Sequence, residues 1–252
     1  MAQLILSDIV FLAAHTVRSQ AYAQAMANAD LRPGHTLLFG SGTSRRLGQA
    51  GGRLDNATIP GIFTPDLDEP LAASCARFAT PVTQVEAVSI ADPAIEEHLA
   101  RLGPKLVIYS GYGGELVPAR LCRNWRMLHQ HSGWLPDFRG STTCYYSMLE
   151  KGDCGVSSIL LDPEIDTGKI IAREHYAPPG PEMDIDYVYD GAIRADLLVK
   201  VLGAYADSGG MLPGIDQDAA AGQTYYVIHP VLKNIVIERI RSGEPLVRQT
   251  AG

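Results

Sequence analysis

Short apolar runs alternate with stretches of helical periodicity along most of this chain, and that alternation limits the fold more than any other feature. Ile9–Ala13, Thr36–Phe39, Leu106–Tyr109, Met127–His131, Val156–Leu161 and Lys169–Arg173 read as strands, and Ala87–Ile90 as a further one. Helical stretches separate them. Thr16–Ala29 carries Val17, Ala21, Ala25 and Ala29 at i+4 steps. Asp92 caps a second helix with Pro93 at its first position, and Gly103–Pro104 ends it. A short helix is expected near Pro118–Arg123 and another over Thr142–Glu150. A long one over Ile185–Ala206 has Tyr189, Ile193, Leu197 and Val201 as its buried stripe. Leu31–Gly34 reads as a turn. Strands alternating with helices imply an α/β fold, a mostly parallel sheet with helices on both faces. Ligands of such sheets bind beyond the carboxyl ends of the strands. Gly40–Arg53, Ser110–Gly114 and His131–Ser141 are the loops expected there.

The chain has 252 residues, of which 46% are hydrophobic, enough for one large domain. Residues 1–206 are expected to form it. Residues 207–252 are expected to be an extension packed on it: a polar loop (Asp207–Gly222), then an apolar strand-helix tail (Thr224–Ile240). No run of about 18 apolar residues suggests a membrane span. Leu4–Ala14 is interrupted by Asp8 and not preceded by Lys or Arg, so it reads as a first strand rather than a signal peptide. Cys75, Cys122, Cys144 and Cys154 form no CxxC pair and read as small hydrophobes of a reducing, cytoplasmic compartment. The formal net charge of −7, with no Lys/Arg block, disfavours nucleic acid and points to a small-molecule partner.

Leu106 to Ile171 holds the chemistry. Side chains alternate along a strand, so His129 and His131 leave the same face, and Asp166 lies on a turn after a buried strand. A histidine oriented by a carboxylate is a general acid/base unit. The residues alone also admit polar groups satisfied at a strand end, or a His-x-His plus Asp metal set. No HExxH or CxxC supports the latter, so no metal is expected.

Three stretches, GYGGELVP (Gly111–Pro118), LHQHSGWLPDFRGS (Leu128–Ser141) and GVSSILLDPEIDTGKII (Gly155–Ile171), together resemble the formyltransferase family. That family includes methionyl-tRNA formyltransferase, glycinamide ribonucleotide transformylase and the sugar N-formyltransferases. Its pattern is Asn-x-His at a strand end, Leu-Pro-x-x-Arg-Gly, then Gly-Val-Thr leading to Asp-Thr-Gly. The matching residues are His131, then Leu135, Pro136, Arg139 and Gly140, then Gly155 and Val156, then Asp166, Thr167 and Gly168. Gly114–Pro118 is similar to the family's pterin-lining Gly-x-x-x-Pro loop. His129 replaces the family's Asn.

The resemblance implies a Rossmann-like fold and transfer of a formyl group from N10-formyltetrahydrofolate to the amine of a small molecule, an amino sugar or an amino-acid derivative. His129, His131 and Asp166 would be catalytic. Gly113, Gly114, Leu116, Pro118, Gly133, Leu135, Pro136, Arg139 and Gly140 would form the folate site. A histidine at 129, above all a cationic one, would serve a developing oxyanion in place of Asn. A formyl-folate hydrolase, a metal hydrolase and a non-catalytic binder are the competing readings, and a homodimer is admitted. Of the remaining residues, the loop opening at Gly40 could cradle a phosphate but reads as a plain surface loop. Trp134 lines a pocket or packs, at least one of Tyr145 and Tyr146 packs in the core, and His229-Pro230 reads as structural.

Overall fold

The computed structural model describes residues 3–40, 58–218 and 220–247. The stretch Gly40–Arg53 lies outside them beyond Gly40. Strand β1 (Leu4–Ala14) is apolar on both faces, as a central parallel strand must be. Helix α1 (Val17–Asn28) follows, N-capped by Thr16, whose side chain accepts from Ser19 N at 3.1 Å. The chain continues through β2 (Leu31–Phe39), α2 (Leu71–Ala76), β3 (Val82–Gln84) and α3 (Pro93–Leu102). Asp92 caps α3 and Gly103 closes it in the left-handed conformation at φ 57°. Then come β4 (Leu106–Ser110), α4 (Ala119–Asn124), β5 (Met127–His131), β6 (Phe138–Gly140), α5 (Thr143–Lys151), β7 (Cys154–Leu160) and β8 (Ile170–Tyr176). A π-type turn over Ile185–Tyr189 leads into α6 (Asp190–Asp207), and β9 (Gln223–Tyr225) and α7 (Pro230–Ser242) follow.

The main sheet has the order β3-β2-β1-β4-β5-β7-β8. It is parallel through β5; β7 is antiparallel to β5, and β8 to β7. One face buries Phe11, Ile108 and Leu128 against Tyr22 and Met26 of α1 and Ile193, Leu197 and Val201 of α6. The other buries Leu12, Leu37 and Val107 against Ile95 and Leu99 of α3 and Leu121 of α4. Among the described residues no helix is long and apolar enough to cross a membrane.

Two local expectations are corrected. Leu31–Gly34 is not a turn but the start of β2, paired with β1 across a register shift between Leu6 and Val10. Gly34 makes this close pass: a Cβ there would stand 2.5 Å from the Ser7 carbonyl oxygen. Ala87–Ile90 is not a strand. The ladder beside β2 is Val82–Gln84, while Val85, Ala87 and Ile90 pack in the α3 layer, and Ala87 O accepts from Gly40 N at 2.7 Å. Their apolar character serves packing, not pairing.

Between β5 and α5 the chain makes a loop that carries β6. Leu135 folds back onto Ile159 and Ile170 as a small third core. The C-terminal residues fasten this loop: β9 pairs in parallel with β6, and Ile215 exchanges both backbone hydrogen bonds with Ile170, at 2.8 and 2.9 Å. His229 caps α7, in keeping with a structural role.

Gly34→Ala should force β1 and β2 apart and lower stability by about 1–3 kcal/mol, the usual cost of overpacking a closed interior. Urea denaturation reads this; a loss below about 0.5 kcal/mol would mean that the bulge absorbs a methyl group.

Candidate active site

His131 ends β5 and is buried. Its Nε2 lies 2.7 Å from Phe138 O. A carbonyl can only accept, so this contact puts the ring proton on Nε2 and leaves Nδ1 bare in the neutral ring. Nδ1 faces Asp166 Oδ2 at 3.4 Å. The same carboxylate oxygen accepts from Gly140 N at 2.9 Å, and Asp166 sits in the left-handed region at φ 54°. A proton arriving on Nδ1 would therefore be shared at once with a fixed carboxylate.

The loop that carries Phe138 is clamped along its length. At Gly133 a Cβ would stand 2.5 Å from both His131 Nε2 and Phe138 O, so only glycine lets the chain cross there. Ser157 Oγ donates to Gly133 O at 2.7 Å and accepts from Leu135 N at 3.0 Å. Thr143 Oγ1 donates to Ser132 O at 2.6 Å and lies 3.4 Å from His131 Nε2. Trp134 is stacked on His175 with centroids 4.0 Å apart, beneath the Arg173 guanidinium, so it packs. Gln217 Nε2 donates to Asp166 O at 2.9 Å and to Gly168 O at 2.7 Å, and its Oε1 takes a hydrogen bond from Arg139. Thr143, Ser157 and Gln217 were missed from the sequence: short polar side chains carry no periodicity, and Gln217 lies in an irregular loop.

His129 leaves the same face of β5 as His131 and is half-buried, with Nδ1 buried and without a partner among the described residues. Its ring lies 6.2 Å from that of Tyr109. Burial foremost, then the charges of Arg18, Arg194 and His131, push its pKa well below 6.5. His129 is thus a neutral imidazole at neutral pH, which corrects the expectation that a cationic ring could serve there. Polar atoms of His129, His131 and Asp166 all lie within 4.8 Å of one another.

The residues expected around folate divide into two groups. Gly113, Gly114 and Leu116 lie exposed on the loop after β4, with open space above both glycines, and Pro118 caps α4. Leu135 is interior, and buried Arg139 donates to Ala221 O, Asp218 O and Gln217, so these two shape the loop from beneath. Pro136 O closely approaches Gly222, and Gly140 (φ 99°) passes against Tyr225 O. Tyr145 is buried and donates to Asp186 at 3.0 Å, and Tyr146 packs on Tyr225.

Residues 64–178 match the family model described as formyl transferase. Methionyl-tRNA formyltransferase of Chloroflexus aurantiacus is 33% identical over 141 residues, covering 54% of this chain and 44% of that protein. The chain thus spans less than half the length of that curated relative. A 4-N formyltransferase from Francisella tularensis superposes with a TM-score of 0.56 at 15% identity, covering 93% of this chain and 88% of that one. HypX from Aquifex aeolicus, solved in complex with tetrahydrofolic acid, does so with a TM-score of 0.53 at 13% identity, over 89% of this chain and 30% of that one. Over residues 64–178 the chain is thus similar to the formyl transferase family, and it shares a Rossmann-like fold with these solved structures.

Proposed function

We propose that this chain transfers a formyl group from N10-formyltetrahydrofolate to the amine of a small molecule. The observation that carries the reading is the pair His131 Nδ1 and Asp166 Oδ2, 3.4 Å apart, with His129 on the same strand face. As the amine bonds to the formyl carbon, His131 takes its proton on Nδ1, and it returns that proton to N10 of the carrier as the bond between N10 and the formyl carbon breaks, so that tetrahydrofolate leaves and the formamide remains. Asp166 stabilises the resulting imidazolium, while Nε2–H stays on Phe138 O. Neutral His129 gives an N–H to the formyl oxygen, where negative charge develops. The carrier supplies an activated formyl group. The loop after β4 suits a pterin: among the described residues nothing stands over Gly113 and Gly114, Leu116 is exposed, and Glu115 Oε2 is buried without a partner, an acceptor for pterin N–H groups. Pro118, Gly133, Pro136 and Gly140 would complete that surface, with Leu135 and Arg139 supporting it. Residues 1–206 form the catalytic unit in this reading, and 207–252 the extension that clamps its loops. The acceptor is an amino sugar or an amino-acid derivative; the net charge of −7 disfavours nucleic acid.

Incubation with N10-formyltetrahydrofolate and a panel of amines should give products heavier by one formyl group. Formate released at the same rate without any amine would instead identify a hydrolase. His131→Ala and Asp166→Ala should each lower single-turnover rates by about 10²–10⁴-fold with the fold intact by circular dichroism. Near-normal turnover in a folded His131→Ala protein would remove the assignment.

His129→Asn should keep substantial activity and His129→Leu should lose about 10²-fold or more. Because wild-type His129 is neutral, its titration should give no alkaline fall in rate. Its stability effect has the opposite sense. The unfolded chain binds this proton near pH 6.5 and the folded chain only at lower pH. Stability is therefore complete above about 6.5 and falls below it, by up to about 1.4 kcal/mol per pH unit. Urea titrations should show that slope reduced in His129→Asn; equal slopes would mean that His129 titrates normally.

One observation favours a metal-dependent hydrolase. His131 bonds a carbonyl through Nε2 and turns bare Nδ1 toward Asp166 and neutral His129, as a metal-binding histidine would. Against it, the positive charges of Arg18 and Arg194 act on the same spot. We expect no stoichiometric divalent ion by elemental analysis of the purified protein. Bound zinc whose removal abolishes activity, and whose return restores it, would establish the hydrolase.

A further inference from the structure

Arg18, at the rim of the proposed site, is a cation with no ion-pair partner among the described residues. It occupies the second position of α1, is mostly buried, and gives an N–H to the carbonyl of Gly111, just past β4. Among the described residues no carboxylate pairs with it, and its Nε is buried without a partner. Arg194 differs: it pairs with Asp190 at 2.9 Å and donates to Gln130 O at 2.5 Å. Burial first, and then the charge of Arg194, lowers the Arg18 pKa, against smaller opposing effects of Tyr22, Asp190 and Tyr109.

Tyr109 supplies an independent observation. It is 4% exposed, and its hydroxyl too has no partner among the described residues. That hydroxyl curls over Gly111, where a Cβ would stand 1.9 Å from it. So Arg18 and Tyr109 both reach Gly111, and the Tyr109 ring lies beside that of His129. Buried donors left without acceptors are costly. Here two of them, one on a cation, face the strand end next to the reacting groups.

We propose that Arg18 and Tyr109 hold the carboxylate of the acceptor amine, which makes the acceptor an amino acid or a close derivative; the acceptor role rests on the formyl-transfer reading above. The charge count selects the ligand. Arg194 and Asp190 neutralise each other, so Arg18 is the cation left for a monoanion, and the Glu115 carboxylate, which acts on Tyr109, weighs further against a dianion. A phosphate dianion would bring a second charge with no cation to meet it.

The test begins with sodium acetate, titrated into the full chain by calorimetry at constant ionic strength set with chloride. Saturable binding is expected, weakened about tenfold or more in Arg18→Met, as for loss of a charged hydrogen bond, and less in Tyr109→Phe. Phosphate should bind at least about tenfold more weakly. Without acetate Tyr109→Phe should melt no lower than wild type, because its hydroxyl has no partner among the described residues, and a purely structural role for Tyr109 predicts the reverse; Arg18→Met also loses the hydrogen bond to Gly111 O and is judged by its acetate response. In turnover, amino acids should be formylated in preference to their amides. Arg18→Met should raise KM for the amino acid about tenfold and leave KM for the amide within about twofold. Acetate that does not saturate, or that binds Arg18→Met equally well, overturns the site whatever the activity shows. Amides formylated as well as amino acids overturn the acceptor assignment. So does formate that binds like acetate and that no amino acid displaces, since the carboxylate would then be free formate. Intact acetate binding with no formyl transfer to any amine would overturn the formyl-transfer reading and the acceptor assignment with it, and would leave the carboxylate site standing.

Discussion

The hydrogen bond between His131 Nε2 and Phe138 O is the contact on which the rest of the site depends. It spans seven residues of one loop, so it forms only if the chain turns straight back over the end of β5. Gly133 permits that return because any side chain there would meet both partners of the bond. Ser157 and Thr143 then tie down the carbonyls of Gly133 and Ser132 on either side. The consequence is chemical. With Nε2 committed to a carbonyl, the ring has only Nδ1 left to exchange a proton, and Nδ1 points at Asp166. A backbone contact thereby chooses the tautomer of the proposed base.

Asp166 is fixed from the other direction. Its positive φ is uncommon for a residue with a side chain and holds only where neighbours over-determine it. Here Gly140 N binds the carboxylate, and Gln217 binds the carbonyls of Asp166 and Gly168. Gln217 is itself held by Arg139 of the loop after β5. The C-terminal strap therefore joins both halves of the acid/base pair, through β6–β9 pairing on one side and through Gln217 on the other.

Sequence pattern reached the fold because the parallel strands are buried on both faces and read as apolar runs, and because Thr16, Asp92 and Gly103 signal helix ends by their own side-chain or backbone chemistry. It misread Leu31–Gly34, where Pro33 and Gly34 look like a turn but serve a bulged strand. It misplaced β3 because Val85, Ala87 and Ile90 are apolar for the sake of packing on α3. At the site, His129, His131 and Asp166 were legible as residue types at fixed spacing, and the structure brings them together. The neutral state of His129 was not legible. It arises from burial and from Arg18 and Arg194, residues that lie over a hundred positions before and over sixty after it, and no local pattern encodes a field set by such distant charges.

That field also bears on how an acidic chain can take a negatively charged ligand. The net charge of −7 belongs mostly to solvated surface groups, whose influence salt screens within about 10 Å. Arg18 and Arg194 act where little water intervenes, at the carboxyl ends of β4 and β5. There screening is weak, so the nearby charges of Arg18, Arg194, Asp190 and Glu115 count for more than distant surface carboxylates. The charge that acts on His129 is local and positive. Second to burial, it lowers the pKa of His129. Of the two arginines that contribute to it, Arg194 alone has a carboxylate within ion-pair distance among the described residues.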